Sequence, residues 1–181
     1  MKKSIVKKLG KKMKRGLILY TLGLILNKEK KSCTKIASLL HVVHDFIYRF
    51  LSKTDIFLSI FPCLMIEIAN HFAAQKEGWL IIDDTSISKV FAKLLAGVCD
   101  IYDSALGRPT RGLCVVIIAW SNGKVTIPIG FDWYFQKYIV GDLYKTKSKI
   151  AERLILDCYK KVPFKFILAD AHYSTIYLLT F

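Results

Sequence analysis

The stretch Gly78-Trp79-Leu80-Ile81-Ile82-Asp83-Asp84-Thr85-Ser86-Ile87-Ser88-Lys89 admits few folds. Trp79 to Ile82 is β-branched and aromatic-rich, too short for a helix, and bounded by Gly78 and a polar Thr/Ser segment, the pattern of an interior strand. Two adjacent carboxylates stand at its mouth. Far downstream, Phe164-Lys165-Phe166-Ile167-Leu168-Ala169 feeds Asp170-Ala171-His172-Tyr173-Ser174-Thr175 in the same way. Two such strand ends side by side can share a divalent cation. Hard ions such as Mg²⁺ take oxygen from a few carboxylates and leave other positions to water and phosphate. Metals paired roughly 3.5–4 Å apart are a device for phosphoryl transfer on nucleic acid. Either Asp alone reads first as a turn former ending a strand. The weight lies on the matched pair.

The segments between these ends supply an order. Ser88 to Pro109 reads as an irregular, substrate-facing loop carrying Gly97, Asp100, Asp103, Gly107 and Arg108. Gly112 to Trp120 is an unbroken apolar strand, Ser121-Asn122-Gly123-Lys124 a hairpin turn, and Val125 to Phe131 the returning strand. Pro128 marks an edge or a bulge there. Thr146 to Lys161 is an amphipathic helix with Ile150, Leu154 and Cys158 in register, and the strand ending in Asp170 follows Pro163. The order strand, hairpin, helix, strand is what a ribonuclease-H-like core requires to bring its first and fourth strands together. Asp83 and Asp170 become neighbours in that arrangement. Side chains alternate along a strand, so only one of Asp83 and Asp84 can point at a shared metal.

The first third of the chain is helical in pattern. Met1 to Gly16 is a basic arm, and Leu17 to Leu26 follows as an apolar helix. A charged run before an apolar one resembles a signal peptide. However, Asn27-Lys28-Glu29-Lys30-Lys31 stands where small residues would mark cleavage, and ten apolar residues fall short of the ~20 that span a bilayer. Ser32 to Leu51 has helix-turn-helix spacing: Ile36, Ala37 and Leu40 face inward from one helix, Val42 plugs the corner, and Ile47, Phe50 and Leu51 face inward from the next. Lys35, Tyr48 and Arg49 are then candidates to reach DNA. Two amphipathic helices packing on a domain would show the same spacing. His41 also stands at the turn position where Gly is usual, and Val43 where a Ser or Thr cap is usual. Lys53 to Lys76 reads as one helix or a pair broken near Pro62, and periodicity stops at Gln75-Lys76-Glu77-Gly78.

Charge and cysteine usage narrow the partners. Across 181 residues, 28 Lys and Arg oppose 14 Asp and Glu, a net charge of +14, so a polyanion is expected, nucleic acid or an anionic membrane face. Apolar residues at 53% exclude a disordered tail. Five scattered cysteines without a Cys-x-x-Cys pair imply a reducing compartment and no zinc site.

Trp79 to Thr85, Gly107-Arg108-Pro109-Thr110-Arg111-Gly112, Ile127-Pro128-Ile129 and Leu168 to Tyr173, in this order, resemble the DDE-type transposases of bacterial insertion sequences. The basic helical region ahead of them resembles that family's amino-terminal part. The resemblance implies an α/β chain with a helix-turn-helix-like DNA-binding region, 17–77, behind a basic tail, 1–16. An incomplete ribonuclease-H-like catalytic domain, 78–181, would follow. It implies Asp83, by its spacing to Thr85, and Asp170 as catalytic residues holding Mg²⁺ or Mn²⁺. Arg108 and Arg111 would lie on phosphate. DNA at transposon ends is the implied partner, with no membrane, a cytoplasmic setting and a homodimer in a full-length parent. The family's third carboxylate, a Glu on a later helix, has no counterpart before Phe181, so a truncated chain that binds ends without cutting them is expected. A metal-dependent nuclease of the same fold and a non-catalytic basic DNA-binding module are the alternatives.

Overall fold

Lysine and arginine are good helix formers, and the first helix begins inside the basic stretch rather than after it. Helix α1 runs Lys11–Leu26, so the arm expected to reach Gly16 is helical over its second half. The computed structural model describes residues 10–26, 32–92, 95–103 and 106–173. The start of the basic arm, Asn27 to Lys31 and the Ser174-Thr175 end of the second carboxylate motif lie outside that set. Two compact units form, Met1–Leu64 and Met65–Phe181.

In the first unit Ser32 caps α2, Cys33–Leu39, by accepting from the Lys35 backbone N–H at 3.3 Å. Helix α3, His44–Leu51, starts at Val43 without a side-chain cap. Between them His41 holds φ 51°, a left-handed turn position that His tolerates better than most residues. Ile36, Ala37 and Ile47 make a buried cluster, with Tyr20, Leu24, Leu40, Val42 and Leu51 packed against it. Gly16 and Gly23 permit this closeness, since a Cβ at either would collide with Phe50 or Ile36.

Helix α4, Thr54–Ala73, is continuous through Pro62, so of the two readings, one helix or a broken pair, the single helix is the one that forms. A proline costs a helix one hydrogen bond and a local clash. The turns beyond it are held by packing: Met65, Ile66, Ile68, Ala69 and Phe72 lie on the core of the second unit. The boundary between the units therefore falls inside this helix, ahead of the Gln75–Gly78 segment where periodicity stops.

The second unit is a five-stranded sheet. Its strands are β1 Gly78–Ser88, β2 Cys99–Asp103, β3 Arg108–Ser121, β4 Thr126–Tyr134 and β5 Phe164–Ala169. β3 is the spine, pairing antiparallel with β1, β2 and β4. β5 lies parallel to β1 on its other edge. The first strand and the strand ending in Asp170 are thus neighbours. Opposite Ile118 and Ala119, the ladder shifts between Gly130 and Pro128, the bulge that Pro128 announced. Helix α5, Lys147–Cys158, is capped by Thr146 and buries Ile150, Ala151, Leu154, Ile155 and Cys158 on the sheet. Leu80, Ile82, Val116, Ile118 and Trp120 meet it there.

Two strand expectations need correction. Residues 88–109 are not all irregular: β2 pairs with the start of β3 from Cys99↔Gly112 to Asp103↔Arg108. Its alternation, buried at Cys99 and Ile101 and exposed at Asp100 and Tyr102, is a two-residue period too short to stand out between Gly97 and Gly107. Nor does β1 stop at its carboxylates, because its pairing with β3 continues to Ser88↔Gly112. Only its pairing with β5 ends there, at Ile82↔Ala169.

Candidate active site

Asp83 and Asp170 each follow the last pair of the parallel ladder, Ile82↔Ala169, so the register sets them side by side at the end of the β1–β5 seam. Both are exposed. Asp83 Oδ1 accepts the backbone N–H of Asp84 at 2.8 Å. Asp170 Oδ1 accepts the backbone N–H of His172 at 3.0 Å, and its carbonyl accepts that of Tyr173 at 3.1 Å. Asp170 thereby starts the 3₁₀ turn Ala171–Tyr173.

Asp84 points to the opposite face. Its cross-strand partner is Val116, and the preceding core pair is Ile82↔Ile118, so alternation turns Asp84 towards α5. Its Oδ2 accepts from Lys147 Nζ at 2.7 Å, and its Oδ1 from the Tyr173 hydroxyl at 2.8 Å. Cys114 Sγ lies 3.5 Å from Oδ2. The Lys147 and Asp84 side chains are only 25% and 18% exposed, and Tyr173 is 1% exposed. Burial alone would raise the Asp84 carboxyl pKa, yet the hydrogen bonds from Lys147 and Tyr173, with the lysine charge, hold it below its ordinary value. Burial likewise opposes the Lys147 ammonium, and the bond to Asp84, together with the Asp84 charge and the neighbouring Cys114, outweighs it and raises the Lys147 pKa. Burial and the Asp84 carboxylate push the Tyr173 phenol up, and the charge of Asp170 adds to this. It stays a neutral donor. Burial pushes the Cys114 thiol up to about 11.

Beside this cluster opens a cavity of about 990 Å³, bordered by Ser86, Tyr102, Cys114, Tyr134, Lys147 and His172 among others. Sequence reasoning missed Lys147 and Tyr173. The available signal was parity: Asp84 shares its face with Leu80 and Ile82, and a carboxylate on a core face needs a buried cation or donor.

Arg108 and Arg111 are exposed at the start of β3, in the ladder opposite Asp103 and Asp100. In the helical unit Arg49 donates to Asp45 at 2.9 Å, and the exposed Tyr48 stacks beside His44 with ring centres 6.3 Å apart. Lys35 sits in the first turn of α2. Among the described residues no three His, Cys, Asp or Glu side chains gather where one metal ion could take them. What the β1–β5 seam offers is two hard carboxylates, donors of the kind Mg²⁺ or Mn²⁺ accepts. All five cysteines are free thiols.

A family model described as DDE superfamily endonuclease matches residues 5–180. The chain belongs to this family. Membership makes it a DDE-type transposase or nuclease, an enzyme class acting on DNA and generally using divalent metal ions. The α/β sheet with its helices is consistent with the ribonuclease-H-like fold of DDE enzymes. No curated protein matches the chain. No helix among the described residues is long and apolar enough to cross a membrane.

Proposed function

We propose that this DDE chain is an insertion-sequence transposase, acting at transposon ends through Asp83 and Asp170 as the ligands of a divalent cation, Mg²⁺ or Mn²⁺. The observation that carries this reading is the parallel β1–β5 ladder, which leaves those two carboxylates as the next residues on adjacent strands. Bound there, the cation supplies the Lewis acidity that steadies charge on a phosphate under attack. The chain's own residues bind and orient. Residues 17–77 engage DNA in the manner of a helix-turn-helix, with Lys35, Tyr48 and Arg49 facing it, and 78–181 form the ribonuclease-H-like domain that presents the two carboxylates. Arg108 and Arg111, exposed at one end of β3, take phosphate oxygens. A cytoplasmic setting and a homodimer belong to the same reading. Hydrolytic cleavage alone is the second reading, favoured by the word endonuclease in the family description.

Two carboxylates, with no third acidic ligand gathered beside them among the described residues, should hold a metal loosely. Losing one metal ligand costs several kcal/mol of transition-state stabilisation, and each 1.36 kcal/mol is about tenfold in rate. Binding without cutting is therefore the expected outcome. The test offers the chain a labelled transposon-end duplex with Mg²⁺ or Mn²⁺, beside an Asp83→Ala control. Binding should fall steeply between about 50 and 200 mM salt, because counterion release drives it. Arg49→Ala should blunt sequence discrimination more than affinity. Salt-independent binding would remove the nucleic-acid reading. Metal-dependent cutting abolished by Asp83→Ala would show that two carboxylates suffice, and strand-transfer products would separate transposase from nuclease.

A further inference from the structure

A chain of hydrogen bonds connects the two exposed carboxylates through the half-buried one between them. Asp83 Oδ1 accepts the backbone N–H of Asp84. Asp84 Oδ1 accepts the Tyr173 hydroxyl, and the Tyr173 backbone N–H donates to the Asp170 carbonyl. The His172 N–H closes the path on Asp170 Oδ1. Beyond Ile82↔Ala169 the β5 backbone no longer pairs with β1, so Asp170 stands on a turn that the ladder does not hold. Tyr173, fully buried and bonded to Asp84, pins the far end of that turn.

From this geometry we infer that Asp84, Tyr173 and Lys147 are positioning residues: they lock the Asp170 turn onto β1 and so fix the separation of Asp83 and Asp170. The inference rests on the proposed metal role of those two carboxylates and extends it to residues that would not touch the ion. Lys147 has a second task. Its ammonium neutralises the one carboxylate that faces the core, leaving Asp83 and Asp170 as the charged pair for a divalent ion. Lys147 on Oδ2 and Tyr173 on Oδ1 together commit both Asp84 oxygens to protein donors, which separates the roles of adjacent, chemically identical residues.

Groups that orient a metal's ligands without touching the metal typically change affinity 10- to 100-fold when removed. The experiment follows two readouts on the full chain: hydrogen exchange at the 171–173 amides, and Mn²⁺ binding by electron paramagnetic resonance. Tyr173→Phe and Asp84→Ala should each accelerate exchange at least about tenfold and weaken Mn²⁺ binding about 10- to 100-fold. Combining them should add little, because both break the same bond. Asp84→Asn, whose amide oxygen still accepts from Tyr173, should keep exchange slow and Mn²⁺ affinity within about threefold. This rescue keeps the test decisive should Tyr173→Phe fail to fold.

Unchanged exchange in Tyr173→Phe and Asp84→Ala would overturn the lock. Loss of Mn²⁺ binding in Asp84→Asn would overturn it differently, by showing that the Asp84 charge itself holds the ion. Asp83→Asn and Asp170→Asn test the underlying site. Mn²⁺ binding that survives both would sink the metal assignment, while the exchange results would still report on the lock separately.

Discussion

Asp83 and Asp84 are the same chemical group one residue apart, and strand parity gives them opposite environments. Asp83 faces solvent. Asp84 faces a lysine and a buried phenol, and its carboxyl is held below its ordinary 3.8 because those donors outweigh burial. A carboxyl lowered in the folded state contributes stability above its unfolded pKa, and that contribution is lost as pH falls through the folded value. Asp84→Asn should therefore cost about 1–3 kcal/mol near pH 7, the range for hydrogen bonds to a charged group. The difference from the unmodified chain should shrink below about pH 4. Urea unfolding of both proteins at pH 7, 5 and 3 measures this, and a penalty constant across that range would refute the assignment.

At the scale of elements, β1 is pressed between β3 and β5, and Gly78 opens it. A Cβ at Gly78 would run into the Ser121 carbonyl oxygen and the Trp120 ring, a backbone atom and a fully buried side chain that cannot retreat. Gly78→Ala should destabilise by about 1–3 kcal/mol, the usual cost of overpacking. Gly107→Ala meets nothing within 4 Å and tests only the cost of its φ of 62°. Thermal melts of the two variants compare collision with backbone strain. A Gly78→Ala chain as stable as the original would mean that this seam is looser than described. The strands that frame the site were legible because each holds an unbroken apolar run ended by polar residues, as at Trp79–Ile82 and Phe166–Ala169. The start of α5 was legible through Thr146 and its spacing. β2 was not, because its short alternation carries Asp100, Tyr102 and Asp103 in an otherwise loop-like composition. The partners of Asp84 were not legible either. Lys147 and Tyr173 reach it from segments 63 and 89 residues downstream, and local sequence does not encode such meetings.

In the whole molecule, sequence separation ranks the parts of the second unit. The β3–β4 hairpin closes through a short turn, with Ser121 pairing Thr126. The β1–β5 seam is sealed by a bond spanning 89 residues. Loop-closure entropy rises with the length closed, so hairpin contacts come early in folding and the seam late. Stopped-flow measurements would check this order. Ile127→Ala, in the hairpin, should slow refolding, whereas Tyr173→Phe should leave refolding nearly unchanged and speed unfolding. The reverse pattern would place the seam in the folding nucleus. An ordering of this kind has a consequence for a nascent chain. The positively charged polypeptide can acquire most of its sheet before its two exposed carboxylates are brought together, so any affinity for a divalent ion that depends on their pairing arises only in the final step of maturation.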